Sequence, residues 1–142
     1  MKTMRFIIID DDKQDSDLCK LYVKHALPQV EIVVFNIPEE GLSYIRNAFS
    51  SDIPVPSILF LDINMNTMTG WEFLDLYDSM PQEIKNQITI YIVSSSIDSR
   101  DKEKASNNKY VKGYLIKPAT VAVIKQVYEN PELNVPITVT SI

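Results

Sequence analysis

The chain has 142 residues but only one cysteine, one histidine, one tryptophan and three glycines. Cys19 alone can form neither an internal disulfide nor a multi-cysteine metal site, which fits a reducing compartment. Long apolar runs are missing too. Near the N-terminus only Phe6 to Ile9 precede an acidic triplet, too few for a signal-peptide core or a membrane span. Basic charge is scarce: 14 Lys plus Arg stand against 19 Asp plus Glu, a net charge of -5. That balance argues against the phosphate-backbone footprint of a nucleic-acid binder. Neither nucleic acid nor membrane is an expected partner, and a soluble chain in the cytoplasm is expected. There is no internal repeat beyond strand–helix alternation, no low-complexity tract and no linker long enough to separate two domains. A single core is expected, burying about two thirds of the chain's surface on folding.

Four short apolar runs, 6–9, 30–35, 58–61 and 88–93, have strand length and are mostly rich in Ile and Val, and a weaker fifth covers 113–116. Between and after them apolar residues recur at helical spacing: Leu18, Leu21, Tyr22 and Ala26; Leu42, Ile45 and Phe49; Phe73, Leu74 and Tyr77; Val121, Ile124 and Tyr128. Five β–α alternations predict an α/β fold of flavodoxin-like (βα)5 type, a five-stranded parallel sheet with helices on both faces and order 2-1-3-4-5. Glu31 in the second run and Gly113 opening the fifth mark those two as edges. Segment 97–108 offers only Ile97 and Ala105 to a core, so it is expected to be lightly anchored and mobile. Pro28, Pro38, Pro54, Pro56 and Pro81 fall between periodic segments, as boundary residues do. The tail 130–142 is read as a disordered end or a short packed extension.

In open parallel sheets ligands bind beyond the carboxyl ends of the strands. There the sequence gathers Asp10, Asp11 and Asp12 after the first strand, Asp62 and Asn64 after the third, Ser94 to Ser96 after the fourth, and Lys117 and Pro118 after the fifth. Carboxylates so gathered repel one another unless a cation sits among them, and a hard divalent ion such as Mg2+ suits Asp11, Asp62 and a nearby main-chain carbonyl. Lys117 adds a point charge for a phosphoryl oxygen or for Asp62, and Ser94 a hydrogen bond to the same group. The set reads as phosphoryl transfer with a carboxylate nucleophile. Asp12 is expected to cap the first helix. Ser95 and Ser96 are expected to satisfy turn hydrogen bonds, His25 to lie at the surface, and Trp71 to pack.

Four motifs, "IIIDDD" (7–12), "LFLDINMNTMTGWEFL" (59–74), "IVSSS" (92–96) and "GYLIKP" (113–118), together resemble the receiver domain of bacterial two-component response regulators over about residues 4–129. The resemblance implies that Asp62 is the phosphoacceptor, Asp11 a direct Mg2+ ligand, Asp10 an outer ligand or water holder and Asn64 the donor of a main-chain carbonyl. It further implies that Ser94 and Tyr114 are the switch residues, that Lys117 is the active-site lysine, and that the Lys117–Pro118 peptide is cis. A stand-alone regulator is implied, taking phosphate from a sensor histidine kinase or phosphotransfer protein and binding a downstream protein when phosphorylated. Such a chain is not a turnover enzyme but assists its own phosphorylation and dephosphorylation. Its partner face would be the 97–108 segment, the fifth strand and the last helix, with Ala119, Val121 and Lys125. Tyr114 would turn inward when Ser94 moves toward the phosphoryl group. Two places depart from the family pattern: Asn66 stands where proline is common, expected to alter loop stiffness only, and Ala119 where a bulkier residue is usual.

Other classes fit the sequence less well. A haloacid-dehalogenase-type hydrolase needs a second Asp two positions after the nucleophile, and Thr or Val two positions after that. Asn64 fills that second place after Asp62, while after Asp10 the triplet supplies Asp12 but Gln14 follows. A flavodoxin-like electron carrier would end its first strand in a hydroxyl- and glycine-rich phosphate loop, not in acids. A degenerate receiver acting as a constitutive binding module would lack some of the chemical positions, all of which are filled here.

Overall fold

Ile7, Ile8 and Ile9 present no polar side chain to either side of their strand, and that strand lies inside the sheet. A computed structural model gives the architecture of residues 4–49 and 55–129. In chain order it comprises β1 (Arg5–Ile9), α1 (Lys13–Ala26), β2 (Glu31–Phe35), α2 (Pro38–Ala48), β3 (Ser57–Leu61), α3 (Gly70–Asp78), α4 (Gln82–Lys85), β4 (Ile88–Ser94), α5 (Ser99–Asn107), β5 (Val111–Ile116) and α6 (Val121–Glu129). All pairings are parallel and the order is β2-β1-β3-β4-β5, as the alternation predicts. The edges are β2 and β5, and β2 is only partly covered.

Side chains alternate across the sheet and divide the core in two. Ile7, Ile9, Leu59, Leu61, Ile92 and Tyr114 pack with Leu42 and Ile45 of α2, Phe73 of α3 and Ala105 of α5. Phe6, Ile8, Phe60, Tyr91 and Leu115 pack on the other face with Val23 and Ala26 of α1 and Ile124 and Val127 of α6. Register then sets the level of the rim. Ile9 lies opposite both Phe35 and Leu61, Leu61 opposite Ile92, and Ser94 opposite Ile116. The residues just beyond these strand ends therefore come out along one edge.

Three local expectations are corrected. In α1 the inward row is Ser16, Cys19, Val23 and Ala26, at spacings of three and four, which leaves Leu18 and Leu21 on the flank at 41% and 61% exposure. Ala105 anchors α5 in full burial, but Ile97 precedes the helix and is 76% exposed. A sixth helix, α4, was not foreseen, since its four residues are too few to show a period. No helix among the described residues is long and apolar enough to cross a membrane. The reading of the tail 130–142 falls outside the described residues.

The loop from β3 to α3 ends at Gly70, where a Cβ would stand 2.7 Å from the Asp62 carbonyl oxygen and 2.8 Å from the Ile63 Cα. Main chain cannot yield there as a side chain can. At Gly41 the nearest obstacle is the Ile9 Cδ1 at 2.6 Å, a rotatable end. Gly70→Ala is expected to cost about 1–3 kcal/mol, more than Gly41→Ala, in urea denaturation. Equal stability of Gly70→Ala and the parent would contradict this packing.

Candidate functional site

Each strand that reaches the rim hands over one group, and main-chain hydrogen bonds fix where it starts. The Asp10 amide donates to the Phe35 carbonyl at 3.1 Å and the Asp62 amide to the Ile9 carbonyl at 3.0 Å, so both acids extend the sheet pairing by one residue. Asp10 Oδ1 accepts from the Asp12 amide at 3.0 Å, and Asp62 Oδ1 from the Ile63 amide at 2.9 Å. Asp12 caps α1 as expected, accepting from the Asp15 amide at 3.0 Å. Asn36 Nδ2 donates at 2.8 Å both to the Asp10 carbonyl and to Ser16 Oγ, tying the β2 end to the β1 end. The Lys117 amide donates to the Ser94 carbonyl at 2.9 Å, and the Lys117–Pro118 peptide is cis.

One carboxylate oxygen from each of Asp10, Asp11 and Asp62 lies within 4.8 Å of the others. Asp10 and Asp62 are buried and Asp11 is partly exposed. Lys117 Nζ is 2.7 Å from Asp10 Oδ2, 2.9 Å from Asp15 Oδ2 and 3.8 Å from Asp62 Oδ2. The lysine therefore pairs first with Asp10 and with Asp15, a residue the sequence reading passed over. The signal was the position of Asp15 in the first turn of the helix that Asp12 caps, which aims its carboxylate back at the rim. Burial pushes the Asp62 carboxyl up, to about 7; the Lys117 charge opposes this, the Asp10 charge adds to it, and the Asn64 amide opposes it. Burial would lower the Lys117 ammonium, yet its bonds to Asp10 and Asp15 hold it above its ordinary value. Cys19 lines a cavity of about 40 Å³ under the carboxylates, where burial pushes its thiol up to about 12. It is an inert packing group there.

The structure brings Asp10, Asp11, Asp62 and Lys117 together, and the Ser94 hydroxyl hydrogen-bonds elsewhere. Fully buried, Ser94 Oγ accepts from the Ser96 amide at 3.0 Å, and among the described residues it makes no hydrogen bond to Asp62. Tyr114 stands fully buried, its hydroxyl donating to the Ser96 carbonyl at 2.9 Å. The inward turn expected of Tyr114 is thus already made. Ser96 does more than close a turn: its hydroxyl donates to Asp101 of α5 at 2.6 Å and accepts from the Asp98 amide at 3.2 Å. Asn64 is exposed on the loop beside the acids. Ala119 is 3% exposed and packs against α6, so it cannot belong to a partner face, whereas Lys125 is exposed and Val121 partly so. Asn66 affects more than loop stiffness, because its amide donates to Asp11 Oδ2 at 2.8 Å.

A family model for the response regulator receiver domain matches residues 6–129. The chain belongs to that family. A response regulator receiver protein from Dyadobacter fermentans superposes with a TM-score of 0.82 at 25% identity, over 90% of this chain and 97% of that one. For a two-component response regulator from Cytophaga hutchinsonii the values are 0.81 and 27%, over 92% and 97%. A CheY-like receiver domain protein from Methanospirillum hungatei, at 20% identity and a TM-score of 0.68 over 91% and 94%, shares the fold. No curated protein matched. Membership makes the chain a phosphoacceptor module of two-component phosphorelay signalling. Receivers bind Mg2+ at an acidic pocket, and this chain has an acidic cluster of Asp10, Asp11 and Asp62.

Because burial disfavours the charged form of Asp62, ionising it destabilises the folded chain. That penalty is absent below the unfolded value of 3.8, grows as pH rises and is complete above about 7. Without divalent cations, Asp62→Asn is expected to stabilise the chain by about 1–3 kcal/mol at pH 8 and by much less at pH 5. Thermal melts at the two pH values measure it. A gain that is larger at pH 5 would show that Asp62 is not held in a charge-disfavouring site.

Proposed function

We propose that Asp62 accepts a phosphoryl group from the histidine of a sensor kinase or phosphotransfer protein, and that the phosphorylated chain signals in the cytoplasm by binding a downstream protein. The observation that carries this reading is the buried Asp62 carboxylate at the tip of a central strand, crowded by Asp10 and Asp11 and facing Lys117. An Asp62 oxygen attacks the phosphorus of the phosphohistidine, the new O–P bond forms, and the N–P bond breaks with its electron pair returning to the imidazole. Asp10, Asp11 and Asp62, with the Asn64 main-chain carbonyl, would hold Mg2+, a hard cation suited to an all-oxygen donor set. When bound, it neutralises charge on the phosphoryl oxygens. Lys117, already 3.8 Å from Asp62, needs only a small shift from Asp10 and Asp15 to meet the same oxygens. These residues assist transfer onto Asp62 and the later attack of water, so the chain promotes its own phosphorylation and dephosphorylation without being a turnover enzyme.

Signalling then depends on a shift between two populations. A phosphoryl group on Asp62 draws the Ser94 hydroxyl toward it through a charge-assisted bond. Ser94 leaves the Ser96 amide, and Ser96 also carries the contacts to Tyr114 and Asp101. The face that changes is α5 with β5 and the exposed part of α6, including Val121 and Lys125.

Incubation with acetyl phosphate and Mg2+, read by intact mass, should add one phosphoryl group that base and hydroxylamine remove. Asp62→Asn should take none, and Asp11→Ala or removal of Mg2+ by chelator should lower labelling at least about tenfold. A stable adduct on a serine, or undiminished labelling of Asp62→Asn, would overturn the assignment.

A further inference from the structure

The three clustered carboxylates are oriented by main-chain amides, but not in the same way. Asp10 takes its hydrogen bond from Asp12 and Asp62 takes its from Ile63, donors two and one positions away that any folding of the local chain would supply. Asp11 takes its hydrogen bond from Asn66, 55 positions away in the loop between β3 and α3. This donor is held in place by its surroundings. Ile63 and Met65 before it are buried, and the Gly70 amide donates to the Ile63 carbonyl at 3.0 Å. Thr69 closes a capping box with Glu72 on the far side. The Asn66 side chain itself is exposed. What residue 66 gives the site is therefore an N–H, which every amino acid except proline carries.

We infer that the Asn66 main-chain amide is a positioning group for the metal site, restricting the orientation of the Asp11 carboxylate by holding its Oδ2. This rests on the proposed Mg2+ role of Asp11. Hydrogen bonds to ligating carboxylates remove the orientational freedom that binding would otherwise have to quench. They matter most where the ligand is solvated, and Asp11 is the one of the three that is partly exposed. The bond also joins the β1–α1 loop to the β3–α3 loop, so cation binding and the order of residues 63–69 are reciprocally coupled.

The test compares Asn66→Ala, which keeps the N–H, with Asn66→Pro, which removes it. In Mg2+ titrations of the full chain followed by heteronuclear NMR, Asn66→Ala should bind within about twofold of the parent and Asn66→Pro about tenfold more weakly. Hydrogen exchange gives a reading independent of the proline variant's folding: the Asn66 amide should be protected in the parent and lose that protection in Asp11→Ala. Equal binding by the two variants, tighter binding by Asn66→Pro, or an Asn66 amide that exchanges equally fast with and without the Asp11 carboxylate would each overturn the inference. A parent chain that binds no Mg2+ at all would overturn the functional reading together with it.

Discussion

Three carboxylates within 4.8 Å of one another set the terms for the rest of the molecule. At such a separation two ionised groups repel by on the order of 3 kcal/mol in surroundings of intermediate polarity. A single ammonium, Lys117, touches Asp10 and approaches Asp62, and it is shared with Asp15 as well. One positive charge cannot offset so many negative ones. The cluster persists because the acids sit at the ends of strands whose positions are fixed by apolar packing on both faces, and the repulsion left uncompensated is of the sign that a hard cation relieves.

The packing that holds the acids is ordinary, and its precision comes from register. Ile9, Leu61 and Ile92 lie side by side, so β1 and β3 end at one level while β4 runs two residues further, to Ser94. Amides of the next residues continue the ladder, as Asp62 does onto Ile9, and the acids begin from defined positions. Gly70 then lets the loop after Asp62 fold back against its own main chain. A larger residue there would push directly on the main chain of Asp62 and Ile63.

The same rim is wired to the rest of the fold at two points. Ser96 gathers Ser94, Tyr114 and Asp101 into one set of hydrogen bonds, so the end of β4 cannot move without altering what β5 and α5 feel. Asn66 performs the corresponding connection between the first and third strand ends. Both connections use main-chain groups, which is why they leave little trace in residue types.

The alternation of apolar runs and helical periods already marked the sheet and its parallel pairing, because a buried strand and an amphipathic helix each leave a mark in consecutive residues, and Glu31 and Gly113 marked the two edges that fit the order 2-1-3-4-5. Asp10, Asp11, Asp62 and Lys117 were legible for a related reason: strand ends in such a sheet must converge. Elements without a period stayed hidden, α4 among them. So did choices among equivalent neighbours, such as which face of α1 turns inward and leaves Leu18 and Leu21 exposed. Only the tertiary structure decided that Lys117 pairs with Asp15, that Tyr114 stands inside on the Ser96 carbonyl, and that Asn66 reaches Asp11. Such pairings depend on distances of a few ångström between residues far apart in the chain, and a linear pattern carries composition and period but not those distances.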